Sequence, residues 1–403
     1  MLEKRIRSAL VMGPVTVITA AVLVAFFAQP ALALDSVAGA AHSGFRLMPY
    51  TLLPTGNDGN AVEIGDVTGD GRSDVVMTTT DNDYSVYLYA QGSDGVLEDP
   101  VISSFGGAPN RTGIALVDLD GVNGLDVVVG TATGLSLLRA NATGGLADPE
   151  MLSSRAAYYI EALDLDGNGT LDLASTTWSS EGSIHLNQGN GGLLGFDWPV
   201  PVGGYNSTAS GDLDGDSDAD MAVASAQSSN FVFIYRNIGD GGLQLVRFLR
   251  VSCGHSHADG IAIADFNSDG LADVAVSSGG NLPNTCVAIY HGEGTYQFSD
   301  PVILATDDSP GPTRAADLNG DGLTDLIVLH NGVVGYYLQQ ENGMLAAEVT
   351  QPLPFGNFAD SEALAVGDIN SDRCADVAYA NDSGLVTFLG AGCDQAFADG
   401  FEN

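Results

Sequence analysis

At 403 residues with 52 glycines and a formal net charge of −38 at pH 7, the chain is a polyanion dense in turn-forming residues. Its 13 Lys and Arg against 51 Asp and Glu exclude a binder of nucleic acid or of an anionic membrane surface, because both need clustered cations to displace counterions. An architecture of long helices is excluded as well, since no window holds a sustained 3.6-residue apolar period.

Residues 1–33 read as an export signal. Lys4, Arg5 and Arg7 precede an apolar run from Ala9 to Ala28, and Ala31 and Ala33 form a small-x-small cleavage frame. That run is long enough for an uncleaved anchor, but Pro14 and the cleavage frame favour processing. The mature chain is expected to begin near Leu34 and to be secreted, periplasmic or held at the cell surface, with no membrane insertion of its own. No second segment approaches spanning length.

Residues 34–394 carry one repeat and no internal linker, so a single domain is expected there, as a monomer, with 395–403 as a tail. The first apolar stretch, "FRLMPYTLL" over 45–53, stands alone. A nine-residue frame then begins at Asp66 ("DVTGDGRSD") and returns at Asp118, Asp164, Asp212, Asp265, Asp317 ("DLNGDGLTD") and Asp368, at spacings of 46 to 53 residues. Such a period marks a solenoid, a propeller or an array.

Each frame sits between two short apolar runs, as in "GIAIADF" and "DVAVSS", which read as a β-hairpin. A third run follows, such as "SVYLYA", then a glycine turn and a fourth run such as "LEDPVISSF". Four antiparallel strands in about 50 residues are the content of a propeller blade. The seventh repeat ends after its third run, "GLVTFLG", and therefore lacks a fourth. The 45–53 stretch is expected to supply it and close the ring. The fold expected is all-β, a seven-bladed β-propeller of four-stranded antiparallel blades. Pro100, Pro149, Pro199, Pro301 and Pro352 all fall in fourth runs, where an outer edge strand tolerates a missing N–H.

Carboxylates this close repel unless a cation lies among them. Oxygen side chains at positions 1, 3, 5 and 9 of a glycine-containing loop suit Ca²⁺ better than Mg²⁺, and the absence of a recurring Cys or His excludes zinc and copper from the frame. An EF-hand would need an acidic residue at position 12, where Met77, Val129, Ser175, Val223, Val276, Val328 and Tyr379 stand.

The D-x-[DNT]-x-D-G-x-x-D frame followed by a strand, with trailing turns such as "NIGDGG", resembles the FG-GAP or VCBS repeats of integrin α-subunit-type seven-bladed propellers. That resemblance implies a calcium loop between the first and second strands of each blade, with ligands Asp66, Thr68, Asp70 and Asp74 in the first and Asp164, Asp166, Asn168 and Asp172 in the third. It implies Asp212, Asp214, Asp216 and Asp220 in the fourth, Asp265, Asn267, Asp269 and Asp273 in the fifth, and Asp317, Asn319, Asp321 and Asp325 in the sixth. The seventh would use Asp368, Asn370, Asp372 and Asp376. In the second loop Val122 replaces the central carboxylate, so Asp118, Asp120 and Asp126 should make a weak or empty site. About six Ca²⁺ are expected.

The resemblance also places ligand recognition on the opposite face, where the loops carry Trp178, Asn230, His255, His257 and Asn281. A non-catalytic binding or adhesion module for an extracellular glycan or protein follows. A polysaccharide lyase is the alternative, and a purely structural surface protein the third reading. No G-x-S-x-G, H-E-x-x-H or phosphate-cradling loop is present. Export permits disulfides, and pairing within repeats (Cys253 with Cys286, Cys374 with Cys393) is the simplest of three connectivities.

Overall fold

The computed structural model describes residues 44–80, 84–106, 113–177, 181–199, 205–225, 231–251, 258–279, 285–353 and 362–393. Residues 1–33, Cys253 and all five expected recognition residues (Trp178, Asn230, His255, His257 and Asn281) lie outside them.

Seven four-stranded antiparallel sheets follow one another along the chain, and no helix occurs among the described residues. The first blade is Gly59–Gly65, Asp74–Thr79, Ser85–Tyr89 and Val101–Ser104, and the next five repeat that order. The seventh takes Leu364–Gly367, Asp376–Asn381 and Gly384–Phe388 from the C-terminal end and its outer strand, Thr51–Pro54, from the N-terminal end. Leu52 lies opposite Val386 in that pairing. The closing strand is shorter than the 45–53 stretch because Pro49 has no N–H to donate. Arg46–Leu47 instead pairs separately with Gly390–Ala391. Closure leaves no blade at an open end of the array.

First strands line the axis, each packed on the first strand of the next blade, and the seventh meets the first. Second and third strands are almost wholly buried, whereas outer strands such as Val101–Ser104 are mostly exposed. Successive side chains in a strand point to opposite faces, and both faces of each blade meet a neighbour. Val75 and Met77 therefore join the apolar cluster shared with the seventh blade, while Val76, between them, joins the cluster shared with the second. This is why the inner runs read as continuously apolar. Inner strands approach so closely that a Cβ on Gly113 would lie 2.4 Å from the Tyr158 carbonyl oxygen. The expected prolines sit at outer strands: Pro199 and Pro352 end two of them, and Pro100, Pro149 and Pro301 directly precede three more.

Candidate metal centres

All seven frames form the turn between first and second strands, so their carboxylates gather at one end of the ring. The turn needs left-handed backbone at positions 4 and 6. In the sixth blade Gly320 and Gly322 have φ of 73° and 83°, and the other six loops keep positive φ at both positions even where Ser268, Ser371, Ser217, Asn123 or Arg373 stands there.

Positions 1 and 9 have different surroundings. Asp317 Oδ1 accepts the N–H groups of Gly320 (2.8 Å) and Asp321 (3.1 Å), and Oδ2 accepts that of Gly322 (2.8 Å), so position 1 winds the loop around itself. Position 9 is fully buried: Asp325 Oδ2 accepts from Leu318 N at 2.9 Å and Oδ1 from Gln339 N at 2.7 Å, the latter just beyond the third strand. The same pair of bonds recurs in every blade, for example Asp74 with Val67 and Gln91, and Asp376 with Ile369 and Gly390. Burial pushes the carboxyls of Asp325 and Asp376 up to about 7 and those of Asp126 and Asp220 to about 6, with the backbone donors opposing the rise. Burial likewise raises Asp74, Asp172 and Asp273.

Two loops bring three carboxylates to one point. Oxygens of Asp164, Asp166 and Asp172 lie within 4.8 Å of one another, as do those of Asp212, Asp214 and Asp216. Such convergence of hard oxygens fits a calcium ion, which takes 6 to 8 oxygen ligands. In the fifth, sixth and seventh loops the position-3 asparagine bridges instead, donating its Nδ2 to Asp269 (3.0 Å), Asp321 (3.1 Å) and Asp372 (3.0 Å). In the first loop, Arg72 pairs with Asp70 and also donates Nε to the Gln91 carbonyl at 3.0 Å. Cys374, at position 7 of the last loop, is disulfide-bonded to Cys393, and Cys286 is also in a disulfide.

The sequence patterns did not single out the residues that stitch each loop to the following blade. Asn187 Nδ2 donates to the Leu119 carbonyl (3.2 Å), Asn237 Nδ2 to that of Asp164 (2.8 Å) and Gln339 Nε2 to that of Asp265 (3.1 Å). Their one signal is an amide at or just beyond the end of the third strand, and the hairpin ahead of it varies in length.

On the axis, a cavity of about 360 Å³ is lined by first strands of the blades. Arg314 faces Glu362 at 3.4 Å and Glu63 at 3.9 Å, while Glu161 accepts the Ser210 hydroxyl at 2.9 Å. Burial lifts Glu63 to about 7, Arg314 opposes the rise and Glu161 adds to it.

The FG-GAP-like repeat family matches this chain over residues 66–129, 164–223, 212–276, 265–328 and 317–379. A stretch of 179 residues is 26% identical to integrin alpha-PS5 of Drosophila melanogaster, covering 39% of this chain and 18% of that protein. In fold the chain is similar to the BP39L lectin of Burkholderia pseudomallei (TM-score 0.66, 16% identity, 83% of this chain and 96% of that one). It is also similar to an Agrocybe aegerita lectin that recognises non-reducing terminal N-acetylglucosamine (TM-score 0.53, 19% identity, 76% and 80%).

Proposed function

Because the chain belongs to the FG-GAP-like repeat family, we propose that it is an extracellular, non-catalytic binding module whose carboxylate loops take calcium and whose opposite face docks a glycan or a protein. The observation that carries this reading is the division of one ring into two ends. Carboxylate loops occupy the end where first strands turn into second strands, and the connections from second to third and from fourth to first strands leave the other end for recognition.

The residues that would hold calcium are those at positions 1, 3, 5 and 9, led by Asp164, Asp166 and Asp172 in the third loop and Asp212, Asp214 and Asp216 in the fourth. Calcium bound there would neutralise the loop charge. The protein itself fixes the hairpin, through the position-1 and position-9 hydrogen bonds. Likeness in fold to two lectins supports a glycan as the partner class.

A glycan array probed with the exported full-length chain tests this. A defined set of glycans should be retained in calcium, and Trp178→Ala or His257→Ala should weaken retention while melting like the parent. Loss of the fold in either variant would assign that residue to the core. Unsaturated uronate appearing when acidic polysaccharides are incubated with the protein would replace the binding module with a lyase.

A further inference from the structure

The second loop is built differently from the other six. In those six the position-6 N–H donates to Oδ2 of the position-1 aspartate, as Gly169 does to Asp164 (2.8 Å) and Ser217 to Asp212 (3.0 Å). Asn123 makes no such bond to Asp118 among the described contacts, and Gly124 beside it sits at φ 133°. Position 5 is Val122, which is half exposed and brings no oxygen.

A cation is nevertheless present, and it belongs to the chain. Arg139, just past the third strand of the same blade, places Nη1 3.2 Å from Asp120 Oδ2 and 3.5 Å from Oδ2 of the fully buried Asp126. Its Nη2 donates to the Gly191 carbonyl of the third blade at 2.7 Å. The equivalent residue, immediately before the backbone donor to position 9, is apolar in four blades: Ala90, Leu186, Leu338 and Leu389. In the fourth blade it is Arg236, which reaches only Asp214 (3.8 Å) and Asp216 (3.4 Å) from a side chain 45% exposed. In the fifth it is His291, whose Nδ1 lies 3.0 Å from Asp273 Oδ2.

We propose that the Arg139 guanidinium is the built-in cation of the second loop, neutralising Asp120 and Asp126 without a metal ion and tying that loop to the third blade. Asp126 accepts the N–H groups of Leu119 and Ala140 like its counterparts, and the guanidinium adds the charge that those neutral donors lack while its planar fork meets two carboxylates at once. In this loop the absence of a central carboxylate coincides with an arginine that reaches the buried position-9 carboxylate, which Arg236 does not do in the fourth blade. This assignment deepens the calcium reading of the other loops, and its test can fail independently of that reading.

Thermal midpoints and calcium per chain are to be measured for the parent, Arg139→Met, and Arg139→Met combined with Val122→Asp, each in calcium and in EGTA. Arg139→Met should lower the midpoint by several degrees equally in both buffers and leave the ion count unchanged. The double variant should take up one ion more than the parent and recover its midpoint in calcium only. An unchanged midpoint for Arg139→Met in EGTA, or a fall confined to calcium, would overturn the proposal. A parent that binds no calcium at all would sink the calcium reading, while the EGTA comparison would still decide the role of Arg139. If Arg139→Met does not fold, Arg139→Gln, which removes the charge but keeps a donor, replaces it: a fall equal in the two buffers supports the proposal and no fall overturns it.

Discussion

The Ser371 hydroxyl in the seventh blade donates to Gln91 Oε1 in the first, across 280 residues of sequence. This is the seam where the ring closes, and it uses the same position, the residue whose N–H donates to the position-9 aspartate, that Asn187, Asn237 and Gln339 use elsewhere. Gln91→Ala should cost about 1 kcal/mol, the usual worth of one buried hydrogen bond. Hydrogen exchange should rise first in Thr51–Pro54 and Gly59–Gly65. Uniform loss of protection around the ring would show that the seam has no local role.

Positions 5 and 9 should separate cleanly by mutation. Asp325→Ala strands the buried N–H groups of Leu318 and Gln339 and should destabilise by about 3 kcal/mol even in EGTA, with the loss of the sixth loop's ion added to that in calcium. Asp321→Ala should lower the midpoint in calcium while leaving the EGTA midpoint nearly unmoved. Urea titrations of both variants in the two buffers check this, and equal behaviour of the pair would contradict it.

Metal analysis should find about six calcium ions per chain, with the third and fourth loops releasing theirs last to a chelator because their carboxylates already converge. Each ion that binds the folded loop alone stabilises by RT ln(1 + [L]/Kd), about 2.7 kcal/mol at a hundredfold excess over Kd. EGTA should therefore lower the melting midpoint substantially. A midpoint indifferent to chelator would remove calcium from the account.

Stability should also depend on Glu63 in the axial cavity. Its folded pKa, raised by burial from 4.5 to about 7, means that folding takes up a proton between those values. The contribution is fully present below pH 4.5 and is lost as pH rises through about 7, so the midpoint should fall over that interval. The side chain is about 30% exposed, which screens part of the effect. Glu63→Gln should flatten the profile between pH 5 and 8, and an unaltered profile would assign the dependence to other groups.

The sequence alone determined the parts that local chemistry writes at fixed spacing. The frame from Asp317 to Asp325 closes on itself within nine residues, and the apolar runs around it alternate toward two neighbouring blades, so loop, strands and repeat number were all legible. Even the closing strand could be found by counting, although Pro49 confined it to Thr51–Pro54. Tertiary structure alone decided which side chain arrives at each loop from outside. The backbone donor to position 9 lies 14 residues beyond Asp126 but 19 beyond Asp273, so no fixed offset marks Arg139, Arg236 or His291 as a neighbour of the carboxylates. Glu63, Glu161 and Arg314 meet for a similar reason: they come from three different blades, and only closing the ring turns their first strands toward one axis.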